Sequence, residues 1–363
     1  MASEIALDQA PDEAAVEAFG NRMTSALNEA GMLLMISLGH RSGLLSALNG
    51  AGWLTSDALA TSTGLDERYV RELLHGLTAA RVVETDVSAG TYHLPAAHGA
   101  LLTDGGDANM AVYAQFIPLL GSVEDDVLEC FRRGGGVPYK RFGRFHEVMA
   151  EDSGQTVLPA LRDHILPLVP GLTGRLTAGL DVLDVGCGRG RALMLMAEQF
   201  PDSRFVGYDL SAEAVAWARE RAEARGLHNL RFEVRDLSDF DSSAEPGAFD
   251  LVTTFDAVHD QARPLNVLRG IRKSLADDGV YLAQDIRGTS HPHLDADLPL
   301  GPVLYAVSIM HCMTVSLAQG GEGLGTMWGR ERAREYMMRA GFRDIRIHEL
   351  DHDEQNDYYV VRP

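Results

Sequence analysis

The second half of the chain alternates short apolar runs with amphipathic stretches, whereas the first half shows mainly helical periodicity. Strand-length runs that alternate with helix-length stretches predict a parallel sheet with helices on both faces. The predicted strands are 181–186, 204–209, 230–235, 249–255 and 279–286, and the predicted helices are 189–200, 212–226 and 264–277. Residues 295–320 interrupt the alternation, and a helix at 329–340 precedes two final strands, 343–349 and 355–362, the last of them expected to run antiparallel.

Residues 41–95 read as a compact unit of three helices and a hairpin. The third helix, which follows Asp66, carries apolar side chains at three-to-four spacing: Tyr69, Val70, Leu73, Leu74 and Leu77. Two short strand-like runs then flank a turn near Ser88–Gly90. Three helices followed by a hairpin predict a winged helix.

Three consecutive glycines and a proline at 134–138 mark the best linker candidate. We therefore predict an N-terminal helical and winged-helix domain over residues 1–133 and a linker over 134–145. The second domain would cover residues 146–363 and carry an insertion near 295–328.

Charge and composition narrow the function. The net charge is −20, which argues against a protein that mainly binds nucleic-acid phosphates. Met1–Asp12 has acidic residues and no apolar leader, and the three cysteines lie far apart, so a cytoplasmic, reducing location is expected. We interpret the apolar run 301–318 as a buried helix rather than a membrane span.

The segment Asp184-Val185-Gly186-Cys187-Gly188-Arg189-Gly190 has the composition of a nucleotide-binding turn between a strand and a helix. Glycines permit a tight turn and a close approach of ligand to backbone, and the following helix directs its amides at the ligand. A dinucleotide fingerprint needs glycine at 191, where this chain has Arg191. The acid two residues before the first glycine suits a ligand that carries an ammonium group.

Acidic residues also close the next two predicted strands. Asp209 is placed to accept hydrogen bonds from ribose hydroxyls, as acids in NAD sites also do. Asp236 and the Leu237 amide are placed to hold an adenine ring. Three acids at successive strand ends favour a cationic adenosyl ligand.

The runs VLDVGCGRG, FVGYDLS and VRDLSDF resemble the successive motifs of the class I S-adenosylmethionine-dependent methyltransferases. The resemblance covers roughly residues 145–363. It implies a Rossmann-like seven-stranded sheet, S-adenosylmethionine as cofactor and S-adenosylhomocysteine as product. The cofactor-binding candidates are Asp184, Gly186, Gly188, Asp209, Leu210, Asp236, Leu237 and Phe255.

His259 follows the fourth predicted strand, and Asp285 ends the fifth. Histidine suits a general base near neutral pH, and a carboxylate can orient its imidazole. This region resembles the winged-helix small-molecule O-methyltransferases, in which a His-Asp-Trp follows strand four and the histidine is the base. The chain departs from that pattern at Gln261, which replaces the tryptophan, and at Asp285, which replaces a glutamate.

The same comparison places a substrate cover over 301–329, where His311, Cys312, Met313, Met327 and Trp328 could line an apolar pocket. Adjacent histidine and cysteine make poor metal ligands, so no metal is expected. Tyr139, in the linker, could close over the cofactor.

Residues 41–100 carry four arginines against six acids, and the candidate recognition helix opens with Asp66-Glu67. DNA binding is therefore not expected, and the resemblance implies a homodimer instead. The leading hypothesis is methyl transfer to a small hydroxylated or aromatic molecule with His259 as base. The alternatives are an N- or C-methyltransferase without that base, and a DNA-binding regulator that senses S-adenosylmethionine.

Overall fold

The computed structural model describes residues 11–104 and 108–363. The predicted lack of a leader in residues 1–12 falls mainly outside this range. Eighteen α-helices are described, and they are α1 (Glu13–Arg41), α2 (Leu44–Leu48), α3 (Ser56–Thr63), α4 (Glu67–Ala79), α5 (Ala96–Leu102), α6 (Met110–Ala114), α7 (Phe116–Gly121), α8 (Glu124–Arg133), α9 (Phe145–Thr156), α10 (Leu172–Ala178), α11 (Arg191–Gln199), α12 (Ala212–Ala224), α13 (Phe240–Ser243), α14 (Pro264–Ser274), α15 (Pro292–Asp295), α16 (Gly301–Val307), α17 (Met313–Ala318) and α18 (Gly329–Ala340).

A mixed sheet of seven strands organises the second half of the chain. The strands of the whole chain are β1 (Glu84–Asp86), β2 (Thr91–His93), β3 (Asp181–Val185), β4 (Arg204–Asp209), β5 (Leu230–Val234), β6 (Phe249–Phe255), β7 (Leu275–Ile286), β8 (Asp344–Leu350) and β9 (Asp353–Arg362). The sheet order is β5-β4-β3-β6-β7-β9-β8, with β9 antiparallel to both neighbours. The predicted fold class, including the antiparallel last strand, is confirmed.

Helices cover both faces of this sheet because its central strands are apolar on both sides. One buried cluster packs α10, α11 and α12 on one face, and a second packs α14 and α18 on the other. The five parallel strands end at the same edge, so the side chains that follow them meet there.

Residues 44–93 contain the predicted three helices and hairpin. Asp66 caps α4 by accepting hydrogen bonds from the Arg68 and Tyr69 amides. Val70, Leu74 and Leu77 face the unit's core, as the helical spacing predicts. β1 and β2 pair as an antiparallel hairpin.

The chain divides into Met1–Pro118 and Leu119–Pro363. This division falls within the predicted first domain rather than at the glycine-rich segment 134–145. The physical reason is close packing: a Cβ on Gly136 would lie 1.9 Å from the Thr314 carbonyl oxygen, and the Val137 amide donates to Thr314 Oγ1 at 2.8 Å. The predicted linker is therefore part of the second unit.

Residues Gly301–Ala318 form one continuous helical stretch that is long and apolar enough, by length and composition alone, to cross a membrane. A π-helical turn at Ser308–Cys312 joins α16 to α17. Two residues of α17 bind distant parts of the same unit. Thr314 accepts from the Val137 amide, and the Ser316 hydroxyl donates to the Gln261 carbonyl at 2.8 Å. The interpretation as a buried helix therefore fits α17, whereas α16 exposes Val303 and Tyr305.

Candidate functional site: a glycine turn beside a histidine–carboxylate pair

The turn after β3 depends on its glycines. Gly186, Gly188 and Gly190 have φ angles of 73°, 53° and 65°, in the left-handed region where an L side chain is strained. The Gly186 amide donates to the Tyr208 carbonyl at 2.8 Å, which fixes the turn against β4. The loop therefore presents backbone to the sheet edge, as predicted.

Asp209 connects this turn to the end of β4. Its Oδ2 accepts from the Gly188 amide at 2.8 Å, and its Oδ1 accepts from the Ser211 amide at 2.8 Å. A carboxylate offers about four acceptor positions, so both oxygens keep a lone pair for a ligand. Asp209 thus positions the turn and remains able to accept further hydrogen bonds.

Asp184 lies buried on β3, two residues before the first glycine of the turn. Burial raises the pKa of its carboxyl to about 7, and nearby Asp209 adds to that rise, although a hydrogen bond from Thr253 opposes it. Thr253 Oγ1 donates to Asp184 Oδ1 at 2.8 Å. A cation placed here would favour the ionised form.

The other predicted cofactor residues occupy neighbouring strand ends. Asp236 is exposed and caps its own turn, because its Oδ1 accepts from the Ser238 amide at 2.9 Å. Leu237 is buried in the core, whereas the Leu210 side chain stands 42% exposed. Phe255 is half-buried at the last position of β6. All four positions follow or end strands at the same edge as the turn, and their roles stay predictions.

These residues fit an adenosyl ligand with an ammonium group. A Cβ placed on Gly188 would meet no nearer atom than His146 Nδ1, at 4.0 Å, so the turn leaves room above its backbone. Asp209 binds the Gly188 amide beside that space, and α11 begins directly after the turn. Asp184 would pair with the ammonium group, and Asp209 would accept from the ribose hydroxyls.

His259 and Asp285 form a buried pair beside this edge. His259 Nδ1 lies 2.8 Å from Asp285 Oδ1, and both side chains are almost fully buried. The same Oδ1 accepts from the Trp328 indole N–H at 3.0 Å and from the Ile286 amide at 2.9 Å. Aspartate is thus long enough to hold the imidazole, although the resemblance implies a glutamate here. The sequence pattern did not indicate that Trp328 holds the carboxylate.

Opposing effects act on the pKa of His259. Burial disfavours the charged imidazolium, but the Asp285 carboxylate and then the Cys312 side chain outweigh burial and hold the pKa well above its ordinary value. The Asp285 carboxylate thus favours the protonated imidazole, and a positive charge nearby would shift the equilibrium toward the neutral ring that a base requires.

Asp256, His259 and Asp285 bring ligand atoms within 4.8 Å of one another, a geometry that a metal ion could use. However, Asp285 Oδ1 already accepts three hydrogen bonds, and Gln284 Nε2 donates to Asp256 Oδ2 at 3.1 Å. A metal would have to displace these donors. We therefore interpret the cluster as a hydrogen-bonded network. The absence of a metal stays a prediction.

Tyr139 and His146 belong to the same region, and the sequence pattern singled out only Tyr139. The Tyr139 hydroxyl donates to Asp260, the neighbour of His259, and the Tyr139 ring stacks on His146 with centroids 5.7 Å apart. Burial raises the pKa of Asp260 to about 6. The sequence around His146 contains no motif that would indicate a functional residue. Its place in the site follows only from its closeness to Gly188 in the structure.

Two family models match the chain. Residues 176–349 match a methyltransferase domain, and residues 30–104 match an Rv2258c-like winged HTH domain. The first of these models includes the glycine turn and the His259–Asp285 pair.

The chain carries a methyltransferase domain.

The predicted methyltransferase class and the N-terminal winged helix are confirmed, and solved structures of similar fold contain SAH or SAM. The fold of the whole chain is similar to that of the mitomycin 7-O-methyltransferase MmcR, with a TM-score of 0.63, 19% identity and coverage of 97% of this chain and 100% of that one. It is also similar to human N-acetylserotonin methyltransferase in complex with SAM, with a TM-score of 0.64, 15% identity and coverage of 98% and 99%.

Similarity to curated sequences extends over 56 to 134 residues of the chain. The ubiquinone biosynthesis O-methyltransferase of Actinobacillus pleuropneumoniae serotype 5b is 28% identical over 134 residues, which is 36% of this chain and 54% of that protein. The chain spans only 6% to 54% of the length of the curated relatives it matches. These relatives therefore do not fix the acceptor.

Proposed function

We propose that the methyltransferase domain methylates a hydroxyl oxygen of a small aromatic molecule, with His259 as general base. The observation that carries this proposal is the buried hydrogen bond from His259 Nδ1 to Asp285 beside the glycine turn. With Nδ1 committed to the carboxylate, Nε2 is the ring nitrogen that can accept a proton. S-adenosylmethionine supplies an activated methyl group when bound.

A positive charge in the site prepares His259 for this role. Although burial opposes it, Asp285 raises the pKa of His259 and so favours the protonated imidazole, whereas a base must be neutral. Because like charges repel, the pKa of His259 is expected to fall when a sulfonium lies nearby. The neutral ring then takes the acceptor's proton, while Asp285 and Trp328 hold it in place.

Methyl transfer from labelled S-adenosylmethionine to a panel of hydroxyaromatic compounds tests the proposal. Product with the label on oxygen is the expected result. Label on nitrogen or carbon would instead favour the alternative without a base. Cofactor binding without turnover, together with salt-dependent DNA binding, would favour the regulator, which the acidic start of α4 opposes.

Cofactor affinity should rise with pH through about 7, the pKa of Asp184. Below that pH the carboxyl is protonated and cannot pair with the ligand's ammonium group, whereas above it the carboxylate is available. Calorimetric titration with S-adenosylhomocysteine between about pH 6 and pH 8 should show roughly tenfold tighter binding per unit below the pKa, and then a plateau.

Asp184→Asn should flatten this dependence, because an amide of the same shape has no proton to lose. Asp181→Asn, at the other end of β3, is the matched control and should retain it. A wild-type affinity that does not change with pH would contradict the role of Asp184.

We also propose that two copies of the chain associate in the cytoplasm through α1. Its exposed apolar side chains recur at three-to-four spacing and form one stripe: Val16, Phe19, Met23, Leu27, Leu34 and Leu38. Sedimentation equilibrium should show a dimer that Leu27→Glu dissociates. Asn28→Glu places the same charge beside the stripe and should leave the dimer intact, and a monomeric wild type would refute the assignment.

A further inference from the structure

His311 lies in the π-helical turn Ser308–Cys312 and is fully buried among aromatic rings. Its ring stacks on Phe145 with centroids 3.4 Å apart, and it meets Phe142 and Tyr139 edge-on at 4.6 Å and 5.2 Å. Single π-helical turns inside α-helices occur frequently at functional sites. The turn at Ser308–Cys312 directs the polar ring of His311 toward apolar neighbours.

Neither ring nitrogen of His311 has a hydrogen-bond partner among the described residues. Burial, with the nearby His146 and His259, lowers the pKa of His311 well below its ordinary value, so the ring is neutral. A neutral imidazole carries one donor and one acceptor, and both lose their water here. Buried polar atoms without partners are rare, and each calls for an explanation.

Among the described residues His259 is the other buried histidine, and it has a partner, whereas half-buried His146 and His348 each leave one buried ring nitrogen without a partner. His259 binds Asp285 through Nδ1, and half-buried His98 Nδ1 lies 2.8 Å from the Val82 carbonyl oxygen. A histidine kept only for packing is better replaced by an aromatic ring without polar atoms. His311 therefore has the character of a ring that waits for an external partner.

The residues next to His311 connect it with the proposed base. Cys312 follows it in the chain and lies within hydrogen-bonding reach of His259. Tyr139 contacts the His311 ring, and its hydroxyl donates to Asp260, which follows His259. A molecule presented to His259 is thus close to the His311 ring as well.

We propose that His311 is a second polar anchor for the methyl acceptor, and this inference rests on the proposed function. The acceptor is then a planar aromatic molecule with two polar groups. One is the hydroxyl presented to His259, and the other is a hydroxyl, carbonyl or ring nitrogen that hydrogen-bonds His311. Phe142, Phe145 and Tyr139 make the surroundings of His311 aromatic, which suits a ligand of this kind.

Matched substrates test the anchor. Initial rates of methyl transfer are measured for naphthol and for the dihydroxynaphthalene isomers, which differ only in a second hydroxyl. The wild type should prefer one isomer over naphthol by about 10²-fold or more in kcat/KM, because a buried polar group rejects a ligand that leaves it unpaired. His311→Phe keeps the ring shape and should abolish that preference.

Met310→Leu is the matched control, because it changes a half-buried neighbour in the same π-helical turn and leaves the imidazole intact. It should retain the preference. Turnover with the same preference in His311→Phe as in the wild type would overturn the anchor while the proposed function stands. No oxygen methylation of any compound by the wild type would overturn both.

Thermal unfolding without substrate gives a second, independent readout. His311→Phe should unfold at the wild-type temperature or above it, because it removes an unpaired buried polar ring. A melting temperature lower by about 5 °C or more would mean that His311 makes a structural hydrogen bond, which would overturn the proposal.

Discussion

Replacing His259 by alanine should lower kcat for oxygen methylation by about 10²- to 10⁴-fold, the usual contribution of a positioned general base. The loss follows from geometry, because His259 Nδ1 is held by Asp285 at 2.8 Å and only Nε2 can take the acceptor's proton. Affinity for S-adenosylhomocysteine should stay within about threefold, since the turn and its acids are untouched.

Trp328→Phe provides a graded control for this result. It removes the indole N–H from Asp285 but leaves both the carboxylate and the imidazole in place. The loss in kcat should be about tenfold and therefore smaller, and the pH profile of kcat should move, because the carboxylate that faces His259 has lost a donor. Full turnover by His259→Ala would exclude the base role and favour a nitrogen or carbon acceptor.

Asp209→Asn should weaken binding of S-adenosylhomocysteine by about 10²-fold or more. Both carboxylate oxygens accept backbone amides, from Gly188 and Ser211, so an amide nitrogen at either position would face a donor. The substitution therefore disturbs the glycine turn and also removes an acceptor for the ribose, two losses of about 1 to 3 kcal/mol each.

Calorimetry of the variant, with circular dichroism to establish folding, measures this effect. Asp202→Asn, just before β4 on the exposed surface, makes the same change of charge and should bind the ligand as the wild type does. Affinity within about threefold of wild type for Asp209→Asn would show that the ligand does not depend on this strand end.

The sheet was predictable because its central strands are buried on both faces, which leaves short apolar runs such as 182–183 and 205–208. The glycine turn was predictable because positive φ angles restrict the residue type at Gly186 and Gly188. The paired acids were predictable because parallel strands end at a common edge. These signals are local in sequence or follow from topology.

Other features depend on contacts between residues that are distant in the chain. Trp328 meets Asp285 across 43 positions, and Tyr139 meets Asp260 across 121. No spacing rule connects such pairs. The packing of the predicted linker is a third such case, because three glycines at 134–136 indicate a flexible link unless the backbone of Thr314 is known to lie against Gly136.

The position of β9 in the sheet has a consequence for the folding of the chain during its synthesis. β9 lies between β7 and β8, and its Asp357 pairs with Asp285 in the register. During translation, the strand that carries Asp285 therefore stays at an open edge until residues 353–362 have left the ribosome. Open edges invite pairing with other chains, so a nascent chain stalled before residue 353 would have an aggregation-prone sheet.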